Sequence, residues 1–260
     1  MLDARDIRVS LAGTPVLQGV HFRARPGQVT TIVGPNGSGK TTLLRAMTQE
    51  ASYSGEVTLD GEDISRLPGW QLAARRAVLP QASRIAFPFT VFEIVRLGLT
   101  ASAEAAQETR VSEALDRVGL AGFEGRFYQE LSGGEQQRVQ LARVLTQVWE
   151  PIGAEGARWL FLDEPVSSLD IGHQLEVMSL LAAYAQAGGG VIAVMHDLNL
   201  TAMYADDIAI LADGRVLRQG PPSAVLTDSL LSEAYGCAVR VNAAPEGDVP
   251  FILPHMASIS

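Results

Sequence analysis

The segment from Gly34 to Thr41 is the part of this chain whose residue types and spacing point most directly to chemistry. Its Gly-x-x-x-x-Gly-Lys-Thr pattern follows an apolar run, Val29 to Val33, and precedes a helical pattern. Glycines let backbone N–H groups converge on phosphate oxygens, and the positive end of the following helix adds to the attraction of an anion. We therefore expect a phosphate-binding loop, with Lys40 on the β- and γ-phosphates of ATP and the Thr41 hydroxyl on Mg²⁺.

A pair of carboxylates, Asp163 and Glu164, comes directly after the apolar run Trp159 to Leu162. Sites on parallel sheets form at the carboxyl ends of strands, so a buried strand would deliver both acids to the phosphates. We expect Asp163 to hold Mg²⁺ through water and Glu164 to orient and polarise the attacking water. Two adjacent acids in a solvated loop are the alternative interpretation.

A second anion-binding turn is predicted at Leu131-Ser132-Gly133-Gly134-Glu135. Ser132 can cap a helix over about 135–146, while Gly133 and Gly134 expose backbone N–H groups. The first loop already encloses the β-phosphate, so a second one has no obvious task in the same site. Two chains arranged head to tail resolve this, because each then presents Ser132 and Gly134 to the γ-phosphate held by the other chain's Lys40.

These motifs, in this order, resemble the nucleotide-binding subunits of ATP-binding-cassette (ABC) transporters over about residues 2–240. The resemblance implies that Gln81 contacts Mg²⁺ and reports the nucleotide state to a helical subdomain. It also implies that Ser168-Leu169-Asp170 crosses a dimer interface and that His196, after the apolar run 191–195, contacts the γ-phosphate. His21, His173 and His255 lack such a context, and we interpret them as ordinary surface or core residues.

One position departs from the family pattern. The family usually stacks adenine on an aromatic residue where this chain has Leu11, and leucine offers no π-face. We expect Leu11 to contact the base weakly, with weaker or less base-selective binding as a result. The predicted catalytic residues are Glu164, His196 and Gln81, and the predicted metal ligands are Thr41, Gln81 and Asp163. The predicted nucleotide contacts are Gly34, Pro35, Asn36, Gly37, Ser38, Gly39, Lys40, Thr41, Thr42, Ser132, Gly133, Gly134 and Leu11.

The elements that must position these residues follow from the hydrophobic pattern. Short β-branched runs alternate with helical stretches, which is typical of α/β folds with parallel sheets. We predict a P-loop NTPase (ABC ATPase) core with a mainly parallel sheet, an N-terminal antiparallel β layer and an inserted helical subdomain over about 82–146. A helix over about 172–187 should end at Gly188-Gly189-Gly190. Residues 1–241 should form one domain and residues 242–260 an irregular tail.

Composition narrows the partners. The chain has 20 Lys and Arg against 29 Asp and Glu, a net charge of −9, which disfavours nucleic acid as a partner. A single cysteine, Cys237, excludes an internal disulfide framework. We expect no secretory leader at the N-terminus and no membrane-spanning helix, because the best apolar run is only Val191 to Met195.

The resemblance also implies partners and a cargo. It implies a second copy of the chain, two transmembrane permease subunits and, indirectly, a periplasmic substrate-binding protein, with this chain on the cytoplasmic face of the inner membrane. Three segments, 148–158, 165–174 and Tyr235-Gly236-Cys237, are most similar to those of ATPases of bacterial haemin importers. An iron–siderophore or cobalamin importer is the alternative, and a non-transport ABC ATPase is the alternative of another class. The aromatic segment Phe87 to Phe92 is either subdomain core or part of a groove that accepts a permease helix.

Overall fold

The computed structural model describes residues 1–81, 85, 87–99, 104–244, 247–248 and 250–254. Pro245, His255, the end of the tail and the remaining residues of the predicted helical subdomain lie outside the described residues. The strands are β1 (Leu2–Leu11), β2 (Thr14–Ala24), β3 (Val29–Val33), β4 (Ser54–Leu59), β5 (Glu62–Asp63), β6 (Arg76–Leu79), β7 (Ile152–Gly153), β8 (Gly156–Ala157), β9 (Trp159–Asp163), β10 (Gly190–Val194), β11 (Asp207–Ala212) and β12 (Arg215–Gly220). The α-helices are α1 (Lys40–Met47), α2 (Gly69–Arg75), α3 (Val91–Arg96), α4 (Glu104–Arg117), α5 (Gly133–Gln147), α6 (Ile171–Gln186), α7 (Leu198–Tyr204), α8 (Pro222–Val225) and α9 (Asp228–Tyr235).

The central sheet has the strand order β12-β11-β3-β10-β9-β6, and all but the edge strand β12 run parallel. The apolar runs Val29 to Val33, Trp159 to Leu162 and Val191 to Met195 form β3, β9 and β10 to within one residue at each end. The largely apolar sequences of these strands reflect burial on both faces of the sheet, although β3 also buries Thr30 and Thr31. In β9, Trp159 and Phe161 face one hydrophobic core, and Leu160 and Leu162 face the other.

The predicted antiparallel layer is present as the sheet β2-β1-β4-β5. Its β4–β5 turn contains Asp60 and Gly61 with φ of 54° and 85°, as a two-residue hairpin turn requires. One core lies between this layer, α1 and the central sheet, and it includes Ile7, Phe22 and Leu43. The antiparallel layer therefore covers the same face of the central sheet against which α1 packs.

The helical subdomain contributes to the second core. The helices α3, α4 and α5 pack together and against the other face of the sheet through residues such as Ile94, Leu115 and Val139. Val111, Ala114 and Leu115 form the buried face of α4, and Val118, directly after its end, is buried as well. The helix α6 ends one residue before its predicted end, and Gly188 follows with a φ of 97°.

The sequence patterns missed several short elements. The strand β6 has only four residues, and its sequence Arg-Ala-Val-Leu carries a charge. The segment 148–158 contains the β7–β8 hairpin, and Arg75 anchors it through an ion pair with Glu155. Beyond α9, Val239 and Val241 pack on the second core; the division at residue 241 stays a prediction. Among the described residues, no helix has the length and apolar character needed to cross a membrane.

Candidate nucleotide-binding site

The phosphate-binding loop joins β3 to α1, as predicted. The helix α1 begins at Lys40 directly after Gly39, whose φ is 102°. Gly34 has a φ of 149°, and a Cβ there would lie 1.9 Å from the carbonyl oxygen of Leu211. Only glycine therefore fits where the loop leaves the sheet. The loop closes on itself, because Lys40 Nζ donates to the carbonyl oxygens of Gly34 at 2.8 Å and Pro35 at 2.9 Å.

Burial tunes the two charged groups at the start of α1 and the end of β9. Lys40 is 6% exposed, and burial lowers the pKa of its ammonium group, although Glu164 and Asp163 oppose the shift. Burial also raises the pKa of Asp163, and the neighbouring Glu164 raises it further. A nucleotide phosphate would compensate the charge of Lys40, and a bound cation would compensate that of Asp163, since each group is held in a site where its charge is poorly solvated.

Two hydrogen bonds join parts of the site that are far apart in sequence. Thr41 Oγ1 donates to Asp163 Oδ1 at 3.0 Å. Gln81 Nε2 donates to Glu164 Oε1 at 2.9 Å, and His196 Nε2 lies 2.6 Å from the same oxygen. The structure thus brings together the predicted catalytic residues Glu164, Gln81 and His196, each at the end of a different strand or in the loop after it.

The backbone of Glu164 is unusual for a residue with a side chain. Its φ is 55°, in the left-handed region, which costs a non-glycine residue about 1–3 kcal/mol. Its N–H donates to the carbonyl oxygen of Val194 at 3.2 Å. This conformation turns the chain sharply at the end of β9 and sends the Glu164 side chain toward Gln81 and His196.

One cavity of about 320 Å³ collects most of the predicted site. Its walls come from the phosphate-binding loop, from the start of α1 and from the Glu164 cluster, and it is lined by Val16, Asn36, Gly37, Gly39, Lys40, Thr41, Thr42, Gln81, Glu164 and His196. The predicted nucleotide contacts outside this lining are Leu11, Gly34, Pro35, Ser38, Ser132, Gly133 and Gly134. Ser38 is 4% exposed within the loop, and its hydroxyl has no hydrogen-bond partner among the described residues.

The turn at Ser132 forms a separate surface at the start of α5. Ser132 Oγ accepts from the backbone N–H of Glu135 at 3.3 Å, and Glu135 Oε2 accepts from the N–H of Ser132 at 2.8 Å. This reciprocal capping box confirms the predicted cap, and the hydrogen bonds from Ser132 lower the pKa of Glu135. These residues do not line the cavity of about 320 Å³ in the same chain.

Three residues add details that the patterns did not give. Leu11 lies at the end of β1 with 54% of its surface exposed and does not line the cavity, whereas Val16 does. Tyr235 of α9 is partly buried, which raises the pKa of its hydroxyl, while a hydrogen bond with the Gly34 backbone opposes the shift. Only the tertiary structure brings the C-terminal helix to this loop. The predicted adenine contact of Leu11 stays a prediction.

The groups around Thr41 suit a magnesium ion. They offer a hydroxyl from Thr41, a carboxylate from Asp163 and an amide from Gln81, all with the oxygen atoms that Mg²⁺ prefers. The buried carboxyl group of Asp163, whose pKa is raised, is the kind of group that a nearby cation stabilises in its charged form.

The chain thus combines a cavity beside the loop from Gly34 to Thr41 with a separate capped turn at Ser132. The fold and the site together define an ATP-binding cassette. The family model described as ABC transporter matches residues 17–167, which is more than half of the chain. The chain belongs to this family, and its activity is ATP hydrolysis coupled to transport.

Similar proteins agree with this assignment. The chain is 66% identical over 257 residues to the "Hemin import ATP-binding protein HmuV" of Jannaschia sp. (strain CCS1), covering 99% of this chain and 95% of that protein. It is 60% identical to the protein of the same name from Roseobacter denitrificans, covering 99% and 98%. Among solved structures it resembles the "Dimeric Structure of MJ0796, a Bacterial ABC Transporter Cassette", with a TM-score of 0.75, 26% identity and coverage of 85% of this chain and 99% of that one. The same cassette in a "post-hydrolysis state" bound to ADP and Pi also has a TM-score of 0.75 and 26% identity.

Proposed function

We propose that this chain is the ATP-hydrolysing subunit of a haemin importer. The observation that supports haemin as the cargo is the 66% identity, along 99% of the chain, to a protein named for hemin import. The cargo is assigned from this similarity alone, since a nucleotide-binding subunit energises transport without touching the transported molecule. The chain would act on the cytoplasmic face of the inner membrane with two permease subunits and, through them, a periplasmic substrate-binding protein.

The geometry supports an in-line attack of water on the γ-phosphorus. Glu164 Oε1 accepts a hydrogen bond from the water and takes up its proton as the new O–P bond forms. The bond between the γ-phosphorus and the bridging oxygen breaks, and its electron pair leaves with ADP. Lys40 offsets the charge on the β- and γ-phosphates, and His196 positions Glu164 and contacts the γ-phosphate.

Thr41, Asp163 and Gln81 would hold Mg²⁺. When bound, the ion would supply positive charge that offsets the negative charge of the phosphates. Gln81 already turns its amide nitrogen toward Glu164 at 2.9 Å, and its amide oxygen is the atom suited to a cation. Gln81 therefore links the metal ligands to the catalytic carboxylate.

The turn at Ser132 supports a head-to-tail homodimer. Its N–H groups lie outside the cavity of the same chain, so a γ-phosphate on Lys40 of a second copy is a suitable ligand for it. A similar cassette, MJ0796, has a dimeric structure. ATP would then join two copies, and hydrolysis would release them, because the γ-phosphate contacts both chains.

The surface near Phe87 is the best candidate for permease docking. The rings of Phe87 and Phe89 meet edge to face at 6.3 Å, but Phe87 is 69% exposed while Phe89 packs on the second core. Phe87→Asp should therefore retain basal ATP hydrolysis and lose coupling to the permease. Phe89→Asp should also destabilise the subdomain, so thermal unfolding separates the two effects. Loss of basal hydrolysis in a stably folded Phe87→Asp variant would contradict this assignment.

Reconstitution tests the proposed cargo. The full chain and its permease are purified together, placed in vesicles and supplied with the binding protein and haemin. We expect haemin to stimulate ATP hydrolysis and ATP to drive haemin uptake, and the Glu164→Gln variant should abolish both. Stimulation by a ferric siderophore or by cobalamin, with none by haemin, would replace the cargo but leave the mechanism intact. Hydrolysis with no response to any of these cargoes would contradict an importer of this type.

A further inference from the structure

Gln137, the fifth residue of α5, contacts two functional loops with one side chain. Its Nε2 donates to the carbonyl oxygen of Glu164 at 2.7 Å, and its Oε1 accepts from the backbone N–H of Ser168 at 3.2 Å. One partner is an acceptor and the other a donor, so only one orientation of the amide satisfies both. The half-buried side chain of Gln137 therefore acts as a directional link between α5 and the loop after β9.

The contact with Glu164 matters because its backbone is strained. A residue with a side chain adopts a φ of 55° only where the surroundings enforce it. The Glu164 carbonyl oxygen also accepts from Ser167 Oγ at 3.2 Å and from the Ser167 N–H at 3.4 Å, but the bond from Gln137, at 2.7 Å, is the shortest of the three. Gln137 thus fixes the peptide group on which the catalytic carboxylate is mounted.

The first turn of α5 packs directly on the Ser168 loop. A Cβ added to Gly134 would lie 3.0 Å from the carbonyl oxygen of Ser168 and 3.3 Å from Leu169 Cδ2. The turn from Ser132 to Gln137 and the loop from Glu164 to Leu169 therefore touch through backbone, side chain and hydrogen bonds. A small displacement of one must displace the other.

We propose that Gln137 is a positioning residue that couples the two composite sites of the dimer. The inference rests on the proposed function, in which Ser132 and Gly134 bind the partner's nucleotide while Glu164 serves the chain's own. When the partner's γ-phosphate engages the turn at Ser132, α5 shifts, and Gln137 carries that shift to the backbone of Glu164. Each nucleotide thereby sets the catalytic geometry at the other site.

Two substitutions isolate the link. Gln137→Glu retains the size of the side chain and an acceptor for Ser168, but places a carboxylate oxygen against the Glu164 carbonyl. Gln137→Leu removes both hydrogen bonds without adding charge. The matched control is Gln136→Glu, in the same turn and with the same change of charge. The Gln136 amide donates to the carbonyl oxygens of Tyr128 at 3.1 Å and Leu131 at 3.2 Å, away from Glu164.

The readouts separate positioning from folding and binding. For both Gln137 variants we expect kcat to fall about 10- to 100-fold, with the Kd for ATP within about threefold of wild type. The Hill coefficient for ATP should drop from about 2 to about 1, because the sites no longer report to each other. Gln136→Glu should retain kcat and the Hill coefficient. Circular dichroism and Tm confirm that each variant is folded.

Three results would overturn the inference. They are an unchanged kcat and Hill coefficient in folded Gln137 variants, equal losses in the Gln136 and Gln137 variants, or a loss confined to ATP affinity. The wild-type protein distinguishes failure of the proposed function from failure of the proposed coupling. If wild type does not hydrolyse ATP, the proposed function fails; if it does and the Gln137 variants match it, only the coupling fails.

Discussion

Thr41 and Asp163 are 122 residues apart in the chain, and the Thr41 hydroxyl donates to Asp163 Oδ1 over 3.0 Å. This bond joins the start of α1 to the end of β9. It also orients a carboxylate that burial makes costly to ionise. We therefore expect Thr41 and Asp163 to act together in binding a cation.

Thr41→Val tests the role of the Thr41 hydroxyl in binding a cation, because valine has the same shape and lacks the hydroxyl. We expect the Mg²⁺ concentration for half-maximal ATP hydrolysis to rise about tenfold or more. Thr48→Val is the matched control. Thr48 lies at the far end of α1, where its hydroxyl donates to the Arg45 carbonyl oxygen at 3.2 Å. A Mg²⁺ titration of ATPase activity measures both, and equal Mg²⁺ requirements would remove Thr41 from the metal site.

Leu11→Tyr should restore a base-stacking surface. An aromatic stack contributes about 0.5–1.5 kcal/mol, so the Kd for ATP should fall about two- to tenfold. Leu11→Ala should change the Kd by less than about twofold, since the exposed Leu11 side chain lies outside the cavity lining. Isothermal titration calorimetry measures both variants. An unchanged Kd in Leu11→Tyr would show that adenine binds away from the end of β1.

Gly190→Ala should destabilise the fold through overpacking. A Cβ at Gly190 would lie 2.3 Å from Cε3 of Trp159, the paired residue of β9, whose ring is fully buried. We expect a loss of about 1–3 kcal/mol in the free energy of unfolding. Gly69→Ala is the control, because a Cβ there has no neighbour within 4 Å at the start of α2. Urea unfolding measures both, and equal stability of the Gly190 variant and wild type would contradict the packing described for β9 and β10.

Asp3 should make stability depend on pH in the acid range. Asp3 is 3% exposed, and burial raises the pKa of its carboxyl group. Hydrogen bonds from Arg5 and Arg23 more than offset this, so the pKa lies below its ordinary value. The stabilisation is therefore complete above the unfolded-state pKa and is lost as pH falls through the lower folded-state pKa.

The variant Asp3→Asn should lose about 1–3 kcal/mol of stability at pH 7, and its difference from wild type should shrink below pH 4. Asp6→Asn is the control, since the ion pair of Asp6 with Arg8 is exposed and contributes little. Denaturant unfolding over a pH series measures both. A difference between Asp3→Asn and wild type that persists undiminished at low pH would contradict the assigned shift.

The sequence predicted the parts of the site that local chemistry dictates. Gly34 to Thr41 could be placed between a strand and a helix because glycine spacing and apolar runs are local signals. The cap at Ser132 followed from residue type in the same way. Gln137 could not be found, because its two partners belong to another element and glutamine on a helix is unremarkable. The strained φ of Glu164 also has no local signal.

The elements of the fold also differ in how strongly their local sequence indicates them. Strands buried on both faces, such as β9 and β10, have continuous apolar sequences and were predicted closely. The edge strand β6 has too few apolar residues for such a pattern, and the β7–β8 hairpin depends on tertiary contacts such as Arg75 with Glu155. The cavity lining by Val16 instead of Leu11 depends on how β2 passes the phosphate-binding loop, which spacing alone does not give.

The most direct test of a shared catalytic pocket is ATP hydrolysis per chain across a thousandfold dilution, with association followed by analytical ultracentrifugation. Specific activity should fall in proportion to concentration once the chains separate, and Ser132→Arg should be inactive even when concentrated. Constant specific activity in fully monomeric protein, with Ser132→Arg as active as wild type, would contradict the account.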